Sequence, residues 1–115
     1  MDPVTALSQL PYREVWTIDT EFIADRGAKP IPVCLVALEL RSGNTIRQWA
    51  SECGPRPPIP TGPDALAVAW FATAEWSYFL AAGWPLPAET IDLFAEYRSL
   101  TNGRASNHPG LGQGP

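Results

Sequence analysis

The chain has little from which to build a disulfide framework or a soft-ligand metal site. Only two cysteines and one histidine occur in 115 residues. Cys34 and Cys53 lack Cys-x-x-Cys spacing, and His108 stands alone in a Gly/Pro-rich stretch, so no zinc or redox motif is legible. Positive charge is short as well. Eight Lys and Arg against twelve Asp and Glu leave a net charge of −4. A free-standing basic nucleic-acid binder is thereby excluded, because neutralising phosphates takes a surplus of cations. No apolar run reaches the ~18 residues that a membrane helix needs. The opening Met1-Asp2-Pro3 is acidic where a secretory signal is basic. The expectation is a soluble, cytoplasmic domain with no membrane partner.

What the chain does have is enough apolar residue for one core. At 45% apolar and 17% charged it is a folding composition, and its length suits one domain rather than two. The thirteen prolines are clustered. Residues 54–63, Gly-Pro-Arg-Pro-Pro-Ile-Pro-Thr-Gly-Pro, must form an extended irregular connection, since proline fixes φ and removes the amide donor. Residues 102–115 hold four glycines and almost no large apolar side chain, and are expected to be a disordered tail. Residues 1–12 are an N-terminal arm, which leaves 13–101 as the folded unit.

Between these breaks the hydrophobic period is readable. Val15-Trp16-Thr17-Ile18 is a β-prone run. Residues 32–41 are a longer, nearly continuous apolar run, in which Cys34 is expected to be a buried small side chain. Ser42-Gly43-Asn44 turns this strand into the alternating Thr45–Trp49, making a hairpin. Residues 65–70 read as another buried strand. From 73 to 82 the period changes: Trp76, Phe79 and Leu80 recur at i, i+3, i+4, a helical face that stops at Gly83. Residues 90–92 form a short strand and 93–100 a second helix. Four of the five tryptophans (Trp16, Trp49, Trp70, Trp76, Trp84) sit in apolar periodic runs, so core packing rather than base stacking is expected of them. The order β, β-hairpin, β, α, β, α predicts an α/β domain with a mixed sheet.

Asp19-Thr20-Glu21 follows the first strand directly. Residues i and i+2 of an extended segment point to one side, so the two carboxylates converge. Carboxylate oxygens suit hard cations, and a pair of Mg²⁺ or Mn²⁺ ions held this way clamps the attacking and leaving oxygens of a phosphodiester. Alone, the tripeptide is weakly specific, and a solvated strand end is the plain alternative. Asp92 is a possible ligand but, standing just before the second helix, is better suited to cap it. Glu96 and Arg98 read as a solvated helix face.

The run Val15-Trp16-Thr17-Ile18-Asp19-Thr20-Glu21-Phe22, with the hairpin after it, resembles the first motif of the 3′–5′ proofreading-type exonucleases. These form the DEDD superfamily, of ribonuclease H-like fold. More narrowly, residues 13–103 resemble the exonuclease region at the amino end of some family A, DNA polymerase I-like enzymes of bacteria and phages. The matching segments are residues 32–41, Thr45–Trp49, Ala74-Glu75-Trp76 through Gly83-Trp84-Pro85-Leu86-Pro87, and residues 91–98.

The resemblance implies that Asp19 contacts both metals and that Glu21 holds one and helps orient the attacking water. It puts Glu75 where the family's second motif has an aspartate, a departure that keeps the charge but adds a methylene. Phe71 stands near the place of the family's Asn. The third motif, a Tyr or His followed by a last Asp, is not among the 115 residues, and His108 is not followed by an aspartate. The expected fold is therefore a ribonuclease H-like mixed sheet with flanking helices, in an incomplete, truncated copy. Phe22 either wedges against a 3′-terminal nucleotide or simply packs at the strand end. Arg26 and Lys29, in the loop after the motif, are candidates for touching the phosphate backbone.

Three readings stay open. The first is a two-metal 3′–5′ exonuclease-type domain, or a fragment of one, in which Asp19, Glu21 and Glu75 are the catalytic metal ligands. It would act on single-stranded 3′ ends, binding them weakly alone, with a linked polymerase domain or self-association supplying affinity. The second is a non-catalytic exonuclease-like module that packs against a polymerase or another protein. The third is an unrelated small α/β binding domain in which the two carboxylates are incidental.

Overall fold

In the computed structural model residues 2–24, 27 and 29–102 are described, so Arg26 and the tail from residue 103 onward lie outside the described residues. The elements run α1 (Pro3–Ser8), β1 (Glu14–Ile23), β2 (Ile31–Glu39), β3 (Thr45–Trp49), a 3-10 turn at Ala50–Glu52, β4 (Ala65–Ala69), α2 (Ala72–Ala82), β5 (Glu89–Asp92) and α3 (Leu93–Thr101). The expected α/β class holds, with one mixed five-stranded sheet ordered β3-β2-β1-β4-β5. Strands β1, β2 and β3 form an antiparallel meander, and β4 and β5 add in parallel beside β1.

Local chemistry accounts for these boundaries. Gly43 at φ +79° turns the hairpin, and Gly83 at φ +78° ends α2 in the left-handed conformation that a Cβ would penalise. The helix α1 falls inside the expected arm, and its signal was present in the sequence. Asp2 Oδ1 accepts the Thr5 amide at 2.9 Å, and proline follows Asp2 at the first helical position.

One face of the sheet is packed by α2. Trp16 and Ile18 of β1, Leu35 and Ala37 of β2 and Ala67 of β4 meet Tyr78 and Phe79 of α2. Full burial of each of these two aromatic rings contributes about 1.5–3 kcal/mol. The proline-rich connection lies against this same side. It buries Ile59, and its Gly54 carbonyl accepts the Trp84 indole N–H at 3.0 Å.

Two sequence expectations change here. The buried side of α2 is Ala72, Glu75, Tyr78 and Phe79, whereas Leu80 is 63% exposed. The helix carries apolar residues almost all round, so periodicity could not choose its face, and the sheet did. Trp16 and Trp84 are core residues as expected, but Trp49 and Trp70 are 62% and 57% exposed. Trp49, opposite Cys34, stands on the side of the sheet away from α2, and Trp70, just past the end of β4, packs against Phe94 and Tyr97 of α3. Cys34 is half-buried on the side away from α2, and both cysteines are free thiols.

Candidate active site

The carboxylate pair stands on the central strand. Within β1, Trp16, Ile18 and Thr20 are buried while Asp19 and Glu21 are exposed, as period-2 alternation dictates. The bulge between Glu21 and Phe22 breaks the register just after the pair. On the β2 side, Asp19 lies opposite Val36, which lies opposite Arg47 of β3. Glu21 lies in the same way opposite Cys34, which faces Trp49. On the other side the β1–β4 register ends at Thr17↔Val68.

Glu75 comes from the first turn of α2 and is only 7% exposed. Its carboxyl meets Thr20, in the stretch of β1 that β4 no longer pairs. Burial above all, with the charges of Asp19 and Glu21 adding to it and the neighbouring Thr20 offsetting part, raises its pKa from 4.5 to about 7. Its Oε2 and the Thr20 hydroxyl are buried with no hydrogen-bond partner. The three carboxylates thus flank one three-residue segment, Asp19 and Glu21 from the open side and Glu75 from the helix side. Among the described residues, no three His, Cys, Asp or Glu side chains stand in position to share one metal ion.

The other expected site residues go elsewhere. Phe22 is half-buried and packs against the core under α2. Lys29 lines a shallow hollow with Ser77, Leu80 and Ala81 of α2, on the helix side. Arg26 lies outside the described residues.

Asp92 is a cap, and for two helices at once. Its Oδ1 accepts the amides of Phe94 (3.0 Å) and Ala95 (3.2 Å), and its Oδ2 accepts the Ala72 amide at 3.3 Å. The bond from Ala72 matters because Phe71, the residue before α2, offers no side-chain cap of its own. Asp92→Ala is expected to cost about 1–2 kcal/mol in urea unfolding, with Asp92→Asn recovering part of it.

Sequence reasoning missed Arg47 and the exposure of Trp49 and Trp70. For Arg47 and Trp49 the signal was the strict alternation of Thr45–Trp49, which sets Thr45, Arg47 and Trp49 on one face. It also missed Glu39, which is 3% exposed at the end of β2. The Glu39 carboxylate accepts the amides of Val15 (2.8 Å), Arg41 (3.1 Å) and Ser42 (2.7 Å), tying the hairpin turn to the start of β1.

Fold and site together define a mixed α/β domain with an exposed acidic pair on the central strand of its sheet. No family model, curated protein or solved structure matches the chain. No helix among the described residues is long and apolar enough to cross a membrane.

Proposed function

We propose that this chain carries a metal-dependent 3′–5′ exonuclease-type domain of ribonuclease H-like fold, which hydrolyses the terminal phosphodiester of DNA. The observation that carries this reading is topological. An antiparallel β3-β2-β1 meander with parallel β4 and β5 sets Asp19 and Glu21 on the middle strand and Glu75 on the helix after β4. Ligands of open α/β sheets gather at the carboxyl ends of the strands, and all three carboxylates stand at that end of β1 and β4.

The donor chemistry fits a hard divalent cation. All the donors are carboxylate oxygens, and Glu75 carries an unpartnered buried oxygen with a pKa raised partly by its acidic neighbours. In this reading Asp19 and Glu21 would hold Mg²⁺ or Mn²⁺, and Glu75, which approaches from the helix side, would have to shift toward them to serve as the third ligand. Such an ion, when bound, supplies Lewis-acid polarisation of the phosphoryl oxygen and lowers the pKa of a bound water. The chain's own part is orientation: β1 holds the Asp19 and Glu21 carboxylates on one side at fixed spacing. With a pKa about 7, Glu75 can hold or release a proton at neutral pH.

In this reading the protein is cytoplasmic and meets single-stranded 3′ ends. With its net charge of −4 it needs a linked polymerase domain or a second copy to bind them tightly. A non-catalytic exonuclease-like module packing against a polymerase or other protein is the second reading. It is supported by the exposed Val36 and Leu38 on the side of the sheet away from α2.

The deciding experiment is Mn²⁺-dependent trimming of a labelled single strand, with Asp19→Ala beside the wild-type chain. Stepwise loss of 3′ nucleotides is expected, falling by a hundredfold or more in the variant. Equal, background-level trimming by both proteins would sink the enzymatic reading and leave the packing module.

A further inference from the structure

Independently of the exonuclease reading, we infer that the side of the sheet away from α2 is a docking surface for a second copy of this chain, paired about a two-fold axis that runs along β2. The strand sequences carry the first part. On β1 the alternation is that of a strand with one wet face, Trp16 and Ile18 turned in and Asp19 and Glu21 turned out. β2 is different. Leu35 and Ala37 pack in the core with α2, yet Cys34, Val36 and Leu38, which point the other way, are apolar too. A run of this kind belongs to a strand covered on both faces. Val36 and Leu38 are instead 41% and 38% exposed. At the end of β2 the row continues through Leu40, 40% exposed, into an apolar hollow that Val4, Leu7 and Leu10 line.

The strand registers say what fits there. Asp19 lies opposite Val36, and Val36 opposite Arg47. Glu21 lies opposite Cys34, and Cys34 opposite Trp49. The face is therefore three columns: carboxylates on β1, apolar side chains on β2, and a guanidinium beside an indole on β3. This lateral order is complementary to itself. Turned about an axis along β2, a second copy sets its apolar column on Val36 and Leu38, its Arg47 over Asp19 and its Trp49 over Glu21. Two sheets packed face to face sit about 10 Å apart, which an arginine and an aspartate together span. The other two-fold in the plane, across the strands, would set carboxylates on carboxylates and is disfavoured by like charge. An apolar centre with a charged rim is also the usual anatomy of a protein interface.

The same contact covers Asp19 and Glu21. The dimer is thus a closed form in which the carboxylate pair meets a guanidinium instead of solvent. Trimming then belongs to the monomer, and the affinity for DNA falls to the linked polymerase domain. The patch is modest, so micromolar rather than nanomolar pairing is expected.

The test is sedimentation velocity of the full chain from about 5 to about 500 μM, without divalent metal. A reversible monomer–dimer equilibrium is expected, weakened roughly tenfold or more by each of Val36→Lys, Arg47→Asp and Asp19→Arg. Combining the last two swaps the charges and should restore the wild-type equilibrium. Leu80→Lys, at a position 63% exposed on α2, should change nothing. A chain that stays monomeric throughout overturns the inference. So does a dimer that Val36→Lys leaves intact, or one that the charge swap fails to restore. Mn²⁺-dependent trimming is followed across the same concentrations. Trimming by a chain that never dimerises removes the inference and keeps the exonuclease, and a charge-swappable dimer without trimming does the reverse. Where both occur, activity per chain should fall as the dimer fills. Constant activity through that range would mean that the contact leaves the pair open, and would overturn the inference.

Discussion

Glu39→Ala is expected to destabilise the protein by on the order of 3 kcal/mol at neutral pH, with a fall in Tm of roughly 10–20 °C. Burial alone would push the Glu39 carboxyl up, but the amides of Val15, Arg41 and Ser42 and the Ser42 hydroxyl overcome it and take the pKa from 4.5 to about 2. The unfolded chain binds a proton at Glu39 in that window and the folded chain does not. Stability from this group is therefore fully present above about pH 4.5 and is lost as pH falls through about 2. Chemical denaturation from pH 7 down to pH 2 should show the gap between wild type and Glu39→Ala closing over that range. Glu39→Gln, which keeps the shape but not the charge, should behave much like alanine, because three donors converge on a carboxylate. A gap that does not depend on pH would mean that packing, not charge, holds the turn.

Glu75 has the opposite sign. Its pKa is raised from 4.5 to about 7, so the folded chain keeps a proton that the unfolded chain has released. Stability is lost as pH rises from about 4.5 to about 7, and the full cost persists above that. Glu75→Gln is expected to stabilise the metal-free protein by about 1–3 kcal/mol at pH 8 and to change little at pH 4. Differential scanning calorimetry at the two pH values reads this directly. Adding Mn²⁺ at pH 8 should raise the wild-type Tm, since binding to the native state stabilises by mass action. The rise should vanish in Asp19→Ala and shrink in Glu75→Gln. A Glu75→Gln variant that gains as much from Mn²⁺ as wild type would remove Glu75 from the ligand set and leave Asp19 and Glu21. An unchanged pH 8 stability would show that its carboxyl is solvated rather than buried beside Thr20.

The two carboxyls explain one another in physical terms. Both are almost completely buried, yet one is held ionised and the other is pushed towards the neutral form. The difference lies in what faces them. Glu39 meets backbone amides at a turn, and Glu75 meets the unpartnered Thr20 hydroxyl and feels the charges of Asp19 and Glu21. A buried polar group that is satisfied belongs to the scaffold. One left unsatisfied among like charges marks the place where a cation would bring the largest gain.

The sequence by itself determined the elements and most of their ends. Alternation fixed β3, the apolar run fixed β2, Gly83 stopped α2, and Asp92 capped α3, each through local sterics or a hydrogen bond within a few residues. It also determined that Asp19 and Glu21 share a side, since period 2 is a property of any extended chain. Tertiary structure alone decided the rest. Which side of α2 is buried, and hence that Leu80 stays exposed and Glu75 goes under the sheet, depended on the sheet that receives the helix. That Asp92 reaches back to Ala72, and Glu39 to Val15, required elements twenty or more residues apart to meet. The exposure of Trp49 and Trp70 followed in the same way. Their apolar runs are equally consistent with a covered or an open position, and only the packing of the helices on the sheet decided how much of each ring stays exposed.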